Sequence, residues 1–269
     1  MLNLPYGKYT MNEEKNQNLI KLIIKDPDSL SIIELDGSKK LPYRYFLSLT
    51  MAEPQLMPVY RPVLDAMMYH LTRKDIDNIL NFEKYVVVDA GNLNKTLVEG
   101  GWMTPNSVKR DKRYGFRFVA SDGARGLCKY LKEKSFEEIT DGIRREDSIS
   151  EENREERLHM IGEFLDEYPA ATPGSIFRQQ LITPCLAYDP ADGVIYLEDN
   201  AEGRQFASLY RCNTILRNQI SSDSPDELLT AARRKLRKEF DKLPTRIPKT
   251  DDIGDYILRK AAASINAEK

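Results

Sequence analysis

Residues 201–250 hold 11 Lys and Arg against 6 Asp and Glu, a local excess of +5 in a chain whose net charge is −2. Arg204, Arg211 and Arg217 stand in one stretch. Arg233, Arg234, Lys235, Arg237 and Lys238 crowd the next, and Arg246 and Lys249 lie beyond. Cations gathered on one surface give phosphates a partner without reading base sequence, the electrostatic footprint expected beside a nucleic-acid backbone. The plain alternative is a solvated helix face, and the residues alone leave both open.

Little else in the chain is arranged for chemistry. Neither common Gly-rich phosphate loop occurs, nor a Gly-x-Ser-x-Gly elbow, nor His-Glu-x-x-His. Cys128, Cys185 and Cys212 are far apart and odd in number, which argues against a disulfide framework and fits a reducing compartment. Structural zinc wants close pairs such as Cys-x-x-Cys, and none is present. His70 and His159 stand alone and read as packing or surface residues. Asp251-Asp252 could hold a cation, but adjacent acids are more often simply solvated. No catalytic residue, bound metal or cofactor is therefore expected on this chain.

The elements that must position the cations follow from pattern. The chain has 269 residues, enough for one large domain or two small ones, with ordinary hydrophobic (41%) and charged (30%) fractions. No run of about 18 apolar residues occurs, so no membrane-spanning helix is expected. The start at Met1 does not read as a secretory signal. Residues 1–45 read as a short arm, and the Pro- and Met-rich stretch that follows, Met51 to Pro62, reads as an extended connector. Thr72-Arg73-Lys74-Asp75 opens a helix in the manner of a capping box. Tyr85-Val86-Val87-Val88 should be a buried strand. Leu127, Leu131, Phe136, Ile139 and Ile143 are spaced for helices, with Ser135-Phe136-Glu137-Glu138 as a second capping box. A charged break, Arg144 to Glu156, should separate them from a helix through Leu158, Ile161, Phe164 and Leu165. Leu181–Leu186 and Val194–Leu197 read as strands around the turn Asp189-Pro190-Ala191-Asp192-Gly193. Glu198–Ser208 reads as a polar loop and Leu209–Asn218 as helix. Ser224-Pro225-Asp226-Glu227 starts another helix, with Ser224 as cap. Its apolar stripe runs through Leu228, Leu229, Ala232, Leu236, Phe240 and Leu243.

Three segments resemble one family in that family's order. His70–Gly91, HLTRKDIDNILNFEKYVVVDAG, looks like the helix-to-strand segment of the clamp in the β′ (largest) subunit of multisubunit bacterial-type DNA-directed RNA polymerases. Gly123–Glu146, GARGLCKYLKEKSFEEITDGIRRE, is similar to the family's next helical segment. Leu181–Asn218, LITPCLAYDPADGVIYLEDNAEGRQFASLYRCNTILRN, resembles its stretch of strand, proline turn, lid loop and first clamp helix. Gly203-Arg204-Gln205-Phe206-Ala207 sits where the family carries Gly-Arg-Phe-Ala.

The resemblance implies an α+β fold: a mainly helical clamp with small β-sheet elements, a lid loop and a short basic helical hairpin, completed by partner subunits. It divides the chain into an arm and connector (1–60), a clamp core (61–200), a lid, clamp-helix and rudder-like part (201–250), and a tail (251–269). The implied role is a non-catalytic portion of β′ that holds DNA and the RNA–DNA hybrid. The nucleic-acid contacts would be Arg204, Phe206, Arg211, Arg217, Arg233, Arg234, Arg237, Lys238, Arg246 and Lys249. Phe206 would either wedge against the hybrid or simply pack. Two departures bear on this. The family's zinc-binding cysteines are missing, and so is the Asp-Phe-Asp-Gly-Asp loop that holds catalytic Mg²⁺. The metal would then sit on a companion C-terminal β′ fragment. β-subunit chains, an initiation factor, template DNA and nascent RNA would be the other partners. That arrangement resembles the split subunits of giant bacteriophages, working in the infected host's cytoplasm or packaged in the virion. The rival reading is a free-standing clamp mimic that binds an initiation factor or host polymerase.

Overall fold

A computed structural model describes residues 19–34, 45–91, 97–189 and 191–243. In chain order the elements are β1 (Leu19–Ile23), β2 (Leu30–Glu34), β3 (Tyr45–Leu56), α1 (Arg61–Met67), α2 (Arg73–Leu80), β4 (Tyr85–Asp89), β5 (Trp102–Met103), α3 (Pro105–Arg113) and β6 (Val119–Asp122). They continue with α4 (Gly123–Lys132), α5 (Phe136–Arg145), α6 (Glu151–Glu167), β7 (Phe177–Cys185), β8 (Ala187–Asp189), β9 (Val194–Glu198), α7 (Ala201–Ser221) and α8 (Asp226–Phe240). The fold is mixed α+β with three small sheets, ordered β1-β9-β8, β2-β3-β7 and β5-β4-β6. The described residues gather into two compact units, one of 19–34, 45–52, 180–189 and 191–243, the other of 53–91 and 97–179. These divisions fall inside β3 and β7, whereas the sequence-based divisions fall after residues 60, 200 and 250.

In the second unit the capping boxes form as expected. Thr72 Oγ1 accepts from the Asp75 N–H at 3.1 Å, and Glu138 Oε2 accepts from the Ser135 N–H at 2.8 Å. Each box satisfies donors that a helix start otherwise leaves open. β4 is the buried strand, with Val86 and Val87 fully covered between β5 and β6. The charged break is shorter than expected. Ser150 caps α6 directly, Glu151 and Glu152 face the positive end of its dipole, and Arg154 pairs with Glu151 one turn on. A charged sequence here is a surface helix, not a loop. α6 also closes its neighbours. Arg154 donates to the Ile143 and Glu146 carbonyls at the end of α5, and Arg157 to those of Asp65 and Ala66 in α1.

The Pro- and Met-rich stretch, which passes from the first unit into the second after Ala52, is not a connector. Its first half, Met51–Leu56, ends β3, a twelve-residue strand between β2 and β7, with Phe46, Leu47, Leu49 and Met51 almost wholly buried. Pro54, which cannot donate a ladder hydrogen bond, argues against a central strand, and Glu53 and Gln55 break the apolar run, which hid it. β9 pairs antiparallel with β1 and β8. Gly193, at φ +60, and Asp189, whose Oδ1 accepts from the Ala191 N–H at 3.0 Å, make the turn into β9. Pro190 lies outside the described residues.

Candidate nucleic-acid interface

The basic stretch folds into an antiparallel hairpin of α7 and α8 joined by residues 222–225. Glu198–Ser208 is not a loop, because α7 already begins at Ala201. Asn200 caps it, its Oδ1 accepting from the Gly203 N–H at 2.8 Å while its Nδ2 donates to Glu198 Oε2 at 2.8 Å. A Cβ at Gly203 would lie 2.0 Å from the Glu198 carbonyl oxygen, so only glycine lets the strand turn this tightly into the helix. The start of α8 also moves by one residue. Pro225 occupies the cap position without a side-chain bond, and Ser224 instead shares a hydrogen bond with the Ser222 hydroxyl.

α7 docks on the strands through one polar stripe. The Tyr210 hydroxyl accepts from the Lys25 and Asp26 N–H groups at 2.7 and 2.9 Å. Asn213, fully buried, accepts from the Ala52 N–H at 2.7 Å and donates to the Thr50 carbonyl at 3.0 Å. Arg217 Nε meets Asp26 Oδ2 at 2.9 Å. Offsets of three and four residues put these side chains on one helix face. α8 is tied on at the other end. Gln205 donates to the Glu239 carbonyl, and Ser208 Oγ to Glu239 Oε2 at 2.9 Å. Lys242, 2.6 Å away, holds the Glu239 carboxyl below its ordinary range.

The ten candidate residues separate sharply. Phe206 is 1% exposed and packs in the core; it does not stand free as a wedge. Arg233 is buried beside Ala232, Leu236 and Phe240 on the inner face of α8. Arg217 is spent on Asp26, and Arg237 lies 3.3 Å from Asp241. Arg204 is exposed but bound to Asp199 at 2.5 Å, which raises its already high pKa. Arg211, Arg234 and Lys238 are exposed on the outer faces, joined by Lys235, which belongs with them. Arg246 and Lys249 lie outside the described residues, as do the rudder-like stretch and Asp251-Asp252.

No family model matches the chain. It is similar to proteins named DNA-directed RNA polymerase subunit beta′. It is 28% identical over 191 residues to that of Rickettsia massiliae, covering 64% of this chain and 13% of the relative. With Chromobacterium violaceum the figures are 26% over 192 residues, 66% and 13%. With Shewanella denitrificans they are 24% over 185 residues, 66% and 13%. These likenesses support a relation to the β′ subunit. The chain spans 13% of the length of the curated relatives it matches.

Most of the remaining reactive side chains are packed away. All three cysteines are free and buried, and burial pushes the Cys185 thiol up to about 12. Burial lowers the pKa of His70, which packs edge-on to Tyr69 and Tyr130. His159 lies on the surface, 3.3 Å from Glu163. No helix among the described residues is long and apolar enough to cross a membrane. Tyr210 and Asn213, which hold the hairpin to its strands, have no marked role in the sequence reading. The available signal was a polar pair three residues apart on an otherwise apolar helix face.

Proposed function

We propose that this chain is a non-catalytic, clamp-like portion of a DNA-directed RNA polymerase β′ subunit, gripping DNA and the RNA–DNA hybrid in the cytoplasm during transcription. The observation that carries this is the α7–α8 hairpin, whose outer faces present Arg211, Arg234, Lys235 and Lys238. Cations set along rigid helices hold phosphates firmly and without base preference, as a processive enzyme requires. The lid role narrows to the corner at Glu198–Asn200 and to Arg204, which would exchange Asp199 for a phosphate. Nucleotidyl transfer proceeds by metal ions that stabilise the attacking and leaving oxygens. This chain has no Asp-Phe-Asp-Gly-Asp run, so those ions would sit on a companion β′ portion, with β chains completing the enzyme.

A second reading, a regulator that binds an initiation factor or a host polymerase, draws on the far end of the hairpin. There Ile220 and Leu228 are 43% and 52% exposed, which suits a protein partner. Purifying the chain with its partners from its native source separates the two. Stoichiometric recovery of a protein carrying Asp-Phe-Asp-Gly-Asp, with β-like chains and RNA synthesis, is the expected result. An initiation factor or a complete host polymerase alone would establish the regulator, and recovery of neither would overturn both.

A further inference from the structure

The second unit carries a cationic feature that the hairpin does not account for. Lys109, Arg110, Lys112, Arg113 and Arg117 fall within nine residues, with Asp111 the one acid among them, and all five are exposed. Asp111 is taken by Arg110 at 2.8 Å. Lys109, Lys112 and Arg113 have no partner among the described residues. Cations in the last turn of a helix favour it by facing the negative end of its dipole, which alone would explain the basic end of α3. It would not explain the rings interleaved with them, Tyr114 at 72% and Phe116 at 40% exposure.

The backbone holds these rings in a defined turn. The Gly115 N–H donates to the Lys112 carbonyl at 3.0 Å and the Phe116 N–H to that of Asp111 at 3.2 Å, the paired bonds of a Schellman ending. Gly115, at φ +82, supplies the left-handed residue such an ending needs. Val108 before the turn and Phe118 after it are buried in one cluster with Val87 and Met103. Both ends of the turn are thus pinned, while the rings and cations between them face solvent. A surface already ordered loses less entropy when it binds.

We propose that Lys109–Arg117 is a binding surface for single-stranded nucleic acid, with Tyr114 and Phe116 stacking on bases and Lys109, Lys112 and Arg113 meeting phosphates. Unpaired bases offer a face to each ring, and the cations track the strand between them. A duplex keeps its bases stacked on one another and would leave the rings idle. An acidic peptide would engage only the cations. The proposal goes beyond the clamp reading and does not rest on it.

The test uses the full chain carrying Arg234→Ser, Lys235→Ser and Lys238→Ser, so that loss of the hairpin contribution and loss of this surface are read separately. Fluorescence anisotropy follows binding of labelled oligothymidylate, oligouridylate and a short duplex across a salt series. Adding Tyr114→Ala and Phe116→Ala should weaken binding of both oligonucleotides by about tenfold or more and leave the salt slope unchanged. Tyr114→Leu with Phe116→Leu, which keeps apolar bulk without a π face, should do the same and guards against a folding defect. Lys109→Ser, Lys112→Ser and Arg113→Ser together should reduce the log–log salt slope by roughly 2. Three results would each overturn the proposal: ring variants that bind like their parent, a duplex bound as tightly as the single strands, or polyglutamate competing as well as the oligonucleotides.

Discussion

The α7–α8 hairpin and the end of α3 are both rich in Lys and Arg, yet the hairpin commits a larger share of them to the fold. In the hairpin, Arg217 binds Asp26, Arg233 is buried, Arg237 faces Asp241 and Arg204 holds Asp199. At the end of α3, Lys109, Lys112 and Arg113 extend into solvent with no partner among the described residues. The count of basic residues overstates the charge that either region offers a ligand, more so in the hairpin than at the end of α3, where Arg110 holds Asp111. A cation already paired must give up its carboxylate before it can take a phosphate, and that exchange returns little net free energy.

The sharpest way to test this contrast is to remove what ties the hairpin down. Asn213→Ala would leave the Ala52 N–H and the Thr50 carbonyl without their partner and should cost about 3 kcal/mol in denaturant unfolding. A loss below about 1 kcal/mol would mean that the stripe is not structural. Next comes Arg217→Ala. It strands the Asp26 carboxylate, whose side chain is 13% exposed. The expected loss is about 1–2 kcal/mol, below the fully buried case because Arg217 itself is partly solvated. Arg211→Ala, on the exposed face, should change stability by less than about 0.5 kcal/mol. If these two variants behaved alike, the division between spent and available cations would fail.

Smaller effects are expected at the end of α3. Arg113→Ser should cost at most about 0.5 kcal/mol, the share due to the helix dipole, in the same unfolding measurement. The smallest effect concerns Glu239. Lys242 depresses its folded-state pKa, so its stabilisation is present above the unfolded value and is lost as pH falls through the lower folded one. Glu239→Gln should therefore flatten the acid limb of a stability–pH curve below the ordinary value of 4.5 and change little at neutral pH.

The parts of the fold legible in the sequence were those where a local rule and a burial pattern agree. Thr72 and Ser135 begin helices with apolar faces, and Tyr85–Val88 is β-branched between polar flanks, so α2, α5 and β4 stood out. α3 did not. Only Val108 of its residues is buried, so there is no apolar period to see. Its real marks, a Thr104 cap followed by Pro105 and a glycine reversal at Gly115, are punctuation without a sentence between. The polar run at 198–208 misled for the converse reason. Its Gly and Asn residues suggest a loop, but Asn200 and Gly203 serve there as the cap and the close contact of a helix start. Of the candidate interface, the exposed positions on α8 were readable from helical spacing. Pairings such as Arg217 with Asp26 join residues far apart in sequence and become visible only in the fold.

The docking stripe on α7 occupies a short middle stretch, Tyr210 to Arg217, and Asn200 and Gly203 hold the helix at its start. Beyond it, residues 218–228 are mostly exposed. Mechanically, the hairpin is a cantilever. The overhang of α7 from Arg217 to Ser222 is only about 7.5 Å at the rise of a helix, short against the length rooted between Asn200 and Arg217, so it is stiff. A partner seated at that end would meet a firm support and move the rooted part very little.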